Sequence, residues 1–438
     1  MRRLIILIFA SIMLFGCQEH EAELVFDGLP EERMAQKLQE LQERLLESPS
    51  GWKATLNTGT STSKGAYNFY VDFDNGNVCK MQGDLTPTSS STWSTSTYRV
   101  VWSMNASLVF DTFNYITMLQ EPSSAFGGTA PHGYRSDIEF EYIRSTPDSV
   151  FLKGKKYQHD LVLTKISTTD VASLDEGKLK TKIDEVTSFF AKNLNSYFEI
   201  GNDGVKYAVS LDRIARAIII NWIEGDKVNS VKSAFAYSLE GVDIFKPIEL
   251  KGNILTKIEL VGSTAKMISL SGSYELKNNT IPILPITSLF AHNGAFNALV
   301  IEGSAMPVGI VSEFNSLWES QLSNYALNNV TMVSFIFKLN NSNTASLLVR
   351  FNSGGTVYLA QADYNYTLID GILKLSAPIS TNGNYNNGWV ITNIKNYFSG
   401  AEFKLGYSSS TNPDVVNIGG LYKTNNAASF FYGKLAKN

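Results

Sequence analysis

Apolar and polar residues alternate with period two along much of this 438-residue chain. That period is the spacing of a strand with one buried face, so it dictates sheets rather than helices. In "AYNFYVDFDNGNVCKMQ" (Ala66–Gln82) the alternation runs on both sides of "DNGN" (Asp74–Asn77). This is the pattern of a β-hairpin with an Asn-Gly turn. "TYRVVWSM", "ASLVFDTF", "SDIEFEYI", "DSVFLKG" and "HDLVLTKI" follow as further short strands with short turns between them. Close spacing of this kind predicts an antiparallel meander curled into a barrel or sandwich, with lipocalin-like connectivity.

The period changes to three and four at two places, ahead of the first β-rich block and ahead of the second. In "LPEERMAQKLQELQERLLESPSGW", Met34, Leu38, Leu41 and Leu45 form one apolar helical stripe. Pro30 suits the first turn, and Glu31 and Glu32 complement the positive end of the helix dipole. In "KLKTKIDEVTSFFAKNL" the stripe is Leu179, Ile183, Val186, Phe190 and Leu194. Between the two blocks, "STTDVASLDEGKL" is small and polar and reads as a linker. A weaker helical segment, "VGIVSEFNSLWESQL", precedes the last strands, and "TIPILPITSLF" with its two prolines reads as a connection. The expected fold is mainly β, with two or three antiparallel barrel- or sandwich-like modules, each preceded by an amphipathic helix. The expected boundaries are 30–167, 168–290 and 291–438.

An internal echo accompanies this division. Phe140–Ile166, Phe235–Gly262 and Phe403–Leu435 share an order of alternating strand, polar turn, glycine-terminated strand and last alternating strand. Phe140 and Tyr142 align with Phe235 and Tyr237, and Pro147-Asp148 aligns with Pro413-Asp414. Two explanations stay open: three related modules, or the shared grammar of hairpins.

The first residues carry an address. Arg2 and Arg3 precede an apolar run from Leu4 to Phe15. A helix of that length rises only ~18 Å, short of the ~30 Å hydrocarbon core, which suits a signal peptide better than a span. "L-F-G-C" (Leu14–Cys17) resembles the bacterial lipobox, with the bulky Phe15 as its departure. That resemblance implies removal of residues 1–16 and lipid attachment at Cys17. Residues 17–29 then form an acidic tether with Glu19, Glu21 and Glu23, similar to the surface-export signal of Bacteroidetes lipoproteins. A plain soluble linker would read the same way. The expected localisation is the outer membrane, lipid-anchored and exposed at the cell surface.

"LPEERMAQKLQELQERLLESPSGWKATL", "GAYNFYVDF" and "SLVFDTFNYITMLQEP" together resemble a family of uncharacterised Bacteroidetes surface lipoproteins built on a domain of unknown function. In that family a Pro-Glu-Arg helix leads into a Gly-Trp strand, here Gly51-Trp52. The resemblance covers the N-terminal module well and the remainder loosely. It implies company with nutrient-import pairs of a TonB-dependent channel and a substrate-binding lipoprotein, and for some members with a zinc metallopeptidase lipoprotein. It supplies no catalytic residues.

Chemistry-bearing motifs are sparse. With 37 basic and 41 acidic side chains the net charge is −4, and no basic run exceeds pieces such as "KGKK", which argues against a nucleic-acid partner. The four histidines (His20, His132, His159, His292) include no pair at ligand spacing, and H-E-x-x-H and C-x-x-C are absent, so no metal or cofactor is expected. The only cysteines are Cys17 and Cys79; with Cys17 lipidated, Cys79 has no disulfide partner and reads as a buried thiol. G-x-S-x-G is absent, and the S-x-x-K matches at Ser61–Lys64 and Ser263–Lys266 fall in a loop and between strands. "DFDNGN" lacks the glycine placement of a calcium loop. The pair Glu139/Glu141 lies on one face of a strand, as solvated carboxylates do.

Two loops combine glycine with an aromatic whose apolar body and polar tip suit a ligand. "SSAFGGTAPHGYRSD" offers Tyr134, and "STNGNYNNGW" offers Tyr385 and Trp389, as ligand-contact candidates. The sequence leaves enzymatic activity undecided and weighs against it. The leading expectation is a non-enzymatic accessory or ligand-binding component of a glycan or peptide acquisition system. The alternatives are a hydrolase whose carboxylates the fold assembles, or a purely structural or adhesive surface module.

Overall fold

The structure is a computed structural model that describes residues 29–59, 64–123 and 128–438. The described residues are 48 % strand and 17 % helical, mainly β as the alternation predicts. Cys17, the signal peptide and most of the acidic tether lie outside the described residues. The chain forms two compact units that meet in sequence at Lys180–Thr181. Among the described residues, no helix is long and apolar enough to cross a membrane.

The first unit holds a closed barrel of eight antiparallel strands in sequence order. They are β1 (Trp52–Gly59), β2 (Lys64–Phe73), β3 (Val78–Gly83), β4 (Ser94–Ser103), β5 (Asn105–Phe110), β6 (Glu139–Thr146), β7 (Ser149–Gly154) and β8 (Asp160–Lys165). Pairing of Ala54 with Leu163 closes the ring and removes both sheet edges. The predicted hairpin is present, but its left-handed residue is Asn77, not the Asn-Gly pair. The Asp74 carboxylate explains this: Oδ1 accepts from Gly76 N at 2.8 Å and Val78 N at 2.9 Å, so the side chain shapes a four-residue turn. That use of Asp74 is the turn reading, not a cation loop.

Helix α1 (Pro30–Leu46) completes this barrel's core. Leu41 and Leu45 are fully buried in one core with Trp52, Leu56 and Tyr98, each worth about 1.5–3 kcal/mol of apolar burial. Leu29 N donates to Glu32 Oε2 at 3.1 Å and satisfies an N-terminal donor. At the other end, Trp52 Nε1 donates to Leu45 O at 2.8 Å, locking the helix end to β1. Gly51 between them has φ +81°, and a Cβ there would meet Val71 O at 2.7 Å. The Gly51-Trp52 pair is therefore a joint: one residue permits the turn and the other fastens it.

The segment expected as a linker folds instead as helix α2 (Thr168–Asp175). Ser167 N donates to Asp170 Oδ2 and Asp170 N donates to Ser167 Oγ, a reciprocal cap of the Ser-x-x-Asp type. Helix α3 (Lys178–Lys192) follows, and Val186 packs with Ile183 and Phe190 on the next sheet as the stripe predicts. Leu194, the last of that stripe, lies past the helix end and is exposed.

The second unit contains two sheets. The first is nine-stranded, with order β16-β15-β14-β13-β12-β11-β10-β9-β17. Its strands are β9 (Ser196–Glu199), β10 (Lys206–Asp212), β11 (Ala217–Glu224), β12 (Lys227–Tyr237), β13 (Gly241–Leu250), β14 (Asn253–Val261), β15 (Thr264–Ser269), β16 (Gly272–Glu275) and β17 (Lys277–Asn278). The short helix α4 (Ile286–Leu289) then leads to a second closed barrel. That barrel runs β18 (Ala298–Glu302), β19 (Val330–Leu339), β20 (Thr344–Ser353), β21 (Thr356–Ile369), β22 (Ile372–Thr381), β23 (Glu402–Tyr407), β24 (Ile418–Lys423) and β25 (Asn426–Ala436), with Leu299 pairing Leu435 to close it.

Here the helix does not precede the first strand. Helix α5 (Phe314–Leu327) is inserted between β18 and β19. Its Phe314, Trp318, Gln321 and Tyr325 repeat at four, three and four and enter the barrel core. Trp318 packs edge-on against Phe335 at 5.3 Å, and Phe314 against Phe431 at 5.4 Å. Gln321 is fully buried yet satisfied: its Nε2 donates to Trp389 O and Val390 O, and its Oε1 accepts from Asn393 N.

The internal echo resolves in part. Phe140–Ile166 and Phe403–Leu435 are the last three strands of the two closed barrels, β6–β8 and β23–β25. Phe235–Gly262 instead covers β12–β14, the middle of the nine-stranded sheet. That third match therefore occupies a different place in its sheet from the other two.

Candidate functional site

Both closed barrels carry large buried cores, to which α1 and α5 contribute. The second unit has a cleft of about 350 Å³ between the nine-stranded sheet and the second barrel. That is at the lower end of the ~300–1,000 Å³ typical of small-molecule sites.

Strand alternation makes the first wall. On β10, Tyr207 and Val209 pack in the sheet's core, which turns Ala208 and Ser210 the other way. Asn221, paired with Ala208, takes the same face of β11. Small side chains on this face leave space where larger ones would fill it.

The opposite wall is the proline-bearing connection and the end of the second barrel. Pro282, Ile283, Leu284, Leu289, Phe296 and Leu435 give it an apolar lining. Tyr407 Oη donates to Leu284 O at 2.7 Å and anchors the connection. A tight turn sets Phe296: its N–H donates to Leu289 O, and Ala291 N donates to Phe296 O, each at 3.0 Å. Gly294 in this turn admits no side chain, because a Cβ would meet Leu289 O at 2.5 Å.

Asn195 and Asn417 tie the walls together. Asn195 Nδ2 donates to Asn417 Oδ1 at 2.7 Å and to Asn279 O at 3.0 Å. Asn417, held at φ +57°, donates its backbone N–H to Thr280 O and accepts at its backbone O from Leu435 N. Both residues are more than nine-tenths buried and both line the cleft. Among the described residues, Asn195 Oδ1 and Asn417 Nδ2 have no hydrogen-bond partner. The same holds for the Asn221 amide and the Ser210 hydroxyl. The lining contains no carboxylate and a single cation, Lys434. The cleft therefore presents unspent amide donors and acceptors beside an apolar wall. It is equipped to hold a ligand and carries no obvious acid–base pair.

The sequence-derived candidates fall elsewhere. Cys17 lies outside the described residues. Tyr134 is half-buried in the first unit, edge-on to Tyr67 at 5.4 Å, with its backbone N–H donating to Leu119 O. Tyr385 is 5 % exposed, and its hydroxyl meets that of Tyr364 at 3.2 Å in the second barrel. Burial pushes the Tyr385 phenol up, so it stays neutral at physiological pH. Trp389 is half-buried, 6.0 Å from both Tyr325 and Phe351. Tyr385 and Trp389 thus come together in one barrel, Tyr134 stands in the other unit, and none lines the cleft.

The remaining motifs are structurally engaged. Glu139 accepts from Lys155 Nζ at 2.7 Å, and Glu141 accepts from Asn105 Nδ2. Cys79 is buried against Ser96, and burial pushes its thiol up to about 11. Among the described residues, no group of three or more His, Cys, Asp or Glu side chains is placed to hold a metal ion.

A protein family described as Domain of unknown function (DUF4302) matches residues 22–261, more than half of the chain. The chain belongs to this family. The DUF4302 match contains the first barrel and the cleft wall bearing Asn195, Ser210 and Asn221. It ends before the wall bearing Phe296 and Asn417. No protein of curated function matches the chain. Three of the solved structures that align show how low the similarity is. One is a protein of unknown function of the DUF3598 family from Nostoc punctiforme, at 9 % identity and TM-score 0.15 over 73 % of this chain and 96 % of that one. One is a putative DNA polymerase III beta subunit from Eubacterium rectale, at 10 % identity and TM-score 0.14 over 88 % and 91 %. The third is the isotype 1 transferrin binding protein B from Neisseria meningitidis, at 10 % identity and TM-score 0.14 over 88 % and 75 %. Likenesses this slight carry no argument about function.

Proposed function

We propose that this DUF4302 protein is a lipid-anchored lipoprotein of the outer membrane, exposed at the cell surface. It acts there as a non-enzymatic accessory or ligand-binding component of a nutrient (glycan or peptide) acquisition system. The single observation that carries the binding role is the cleft of the second unit, with its apolar wall and unspent amides. The anchoring role rests on the sequence: the short apolar run, Gly16-Cys17 and the acidic "QEHEAE". A single acyl chain binds membranes only marginally, so the multiple chains of a lipidated cysteine suit a permanent anchor. Association with a TonB-dependent channel, a substrate-binding lipoprotein or a peptidase follows from the Bacteroidetes resemblance.

Two measurements test this. Cys17→Ser should abolish palmitate incorporation and release the protein from membranes; continued labelling in that variant contradicts the anchor. Protease added to intact cells should degrade the wild-type protein; full protection contradicts surface exposure.

A further inference from the structure

We infer that the cleft of the second unit takes a neutral saccharide of about disaccharide size, read by side-chain amides and a hydroxyl rather than by charge or by backbone pairing. This rests on the binding role given above and narrows it to one ligand class.

Four observations lead there. First, Asn195 Oδ1, Asn417 Nδ2, the Asn221 amide and the Ser210 hydroxyl are all unpartnered among the described residues, and all four residues line the same cleft. Together they offer acceptors and donors side by side, which matches vicinal hydroxyls that both give and take hydrogen bonds. Second, the facing wall is apolar, with Phe296 and Leu284 available to the C–H face of a sugar ring.

Third, the charge balance disfavours ionic ligands. The lining has no carboxylate to receive an amino terminus and only Lys434 to receive an anion. Fourth, backbone recognition has little room. Strand β11 pairs with both β10 and β12 over Ala217–Asn221, β9 pairs with β10 and β17, and β25 pairs with β18 and β24, while β10 pairs with β9 only over Lys206–Ala208. An extended peptide adds to a free strand edge, and on β10 that leaves only the short Val209–Asp212 stretch on the β9 side. Asn195 and Asn417 have a positioning share as well, since their mutual hydrogen bond fixes both amides before a ligand arrives and so limits the ordering cost of binding.

The test uses the full chain and a fixed set of probes: maltose, cellobiose, xylobiose and chitobiose as neutral disaccharides, with trialanine as the peptide control. Saturation-transfer NMR and calorimetry read the binding. At least one disaccharide should bind with a dissociation constant on the order of 1 mM or tighter, and trialanine should not. Ser210→Trp fills the cleft from an exposed strand position and should abolish that binding. Asn221→Ala, a smaller change at a half-buried site, should weaken it about tenfold, the size of one lost hydrogen bond to a desolvated partner. Thermal unfolding of both variants alongside wild type separates loss of the ligand from loss of the fold. Binding of trialanine alone, blocked by Ser210→Trp, overturns the saccharide assignment and leaves the cleft as a binding site. Disaccharide binding unaffected by either substitution overturns the assignment to this cleft. No binding by any probe overturns both.

Discussion

The two closed barrels have the same strand number and the same sequential order, yet they receive their helix from different places. In the first, α1 arrives ahead of β1 and contributes Leu41 and Leu45. In the second, α5 is held at both ends between β18 and β19 and contributes Phe314, Trp318 and Tyr325. A helix joined to the barrel at one end can shift to relieve a void; a helix fixed at both ends has less freedom. Both helices add large apolar side chains to a buried core. The cleft instead lies where the small-residue outer face of the nine-stranded sheet meets other chain.

The largest effect expected from this contrast is at Trp318. Trp318→Ala should destabilise the protein by about 3–5 kcal/mol, because the inserted helix cannot move to close the void. Leu41→Ala should cost about 2–3 kcal/mol, the low end for a buried leucine, because α1 can settle inward. Denaturant titration of the two variants measures both, and an equal or inverted order would break the distinction between inserted and leading helices. Trp52→Phe keeps one aromatic ring but removes the pyrrole part of the buried indole with its Nε1 bond to Leu45 O. It should cost about 2 kcal/mol, the lost bond and the small void together, and loosen the end of α1, visible as faster amide exchange over Leu41–Leu46.

Cys79 sharpens the picture of the first barrel's buried core. Its thiol is raised from the ordinary 9.0 to about 11 by burial. The folded state therefore favours the protonated form. That contribution to stability is complete below the ordinary value and is lost as pH rises toward about 11. Native protein at pH 8 should resist alkylation at Cys79 and react only after unfolding; rapid native-state labelling would show that the interior is open. The smallest effect on stability is expected at the cleft. Ser210→Trp should change unfolding free energy by no more than about 0.5 kcal/mol, since Ser210 is exposed and fills no core.

The sequence carries the β architecture legibly because strand alternation and helical stripes are local. The stripe of α1 identifies Leu41 and Leu45 correctly, and α3 follows its pattern up to Phe190. The order of helix and strand in the second barrel is less legible. Strand β18 is only five residues long, and "ALVIE" shows a run of four buried residues in place of alternation. Helix α2 hides in a polar stretch whose capping pair, Ser167 and Asp170, is the signal that identifies it. The cleft escapes sequence reasoning for a different reason. Asn195 and Asn417 are 222 positions apart, and nothing local marks either. The nearest visible trace is the run of small or polar residues Ala208, Ser210 and Asn221 on the face opposite Tyr207 and Val209. The aromatic loop candidates Tyr385 and Trp389 stand in the second barrel, away from the cleft.

Hydrogen–deuterium exchange of the full chain, with and without a saturating disaccharide from the set above, tests the location of binding most directly. Protection should appear in peptides covering Asn195–Ser210, Pro282–Phe296 and Asn417, and stay unchanged in Pro30–Leu46 and Phe314–Leu327. Protection centred on either of those two helices would place the ligand inside a barrel and contradict the outer cleft.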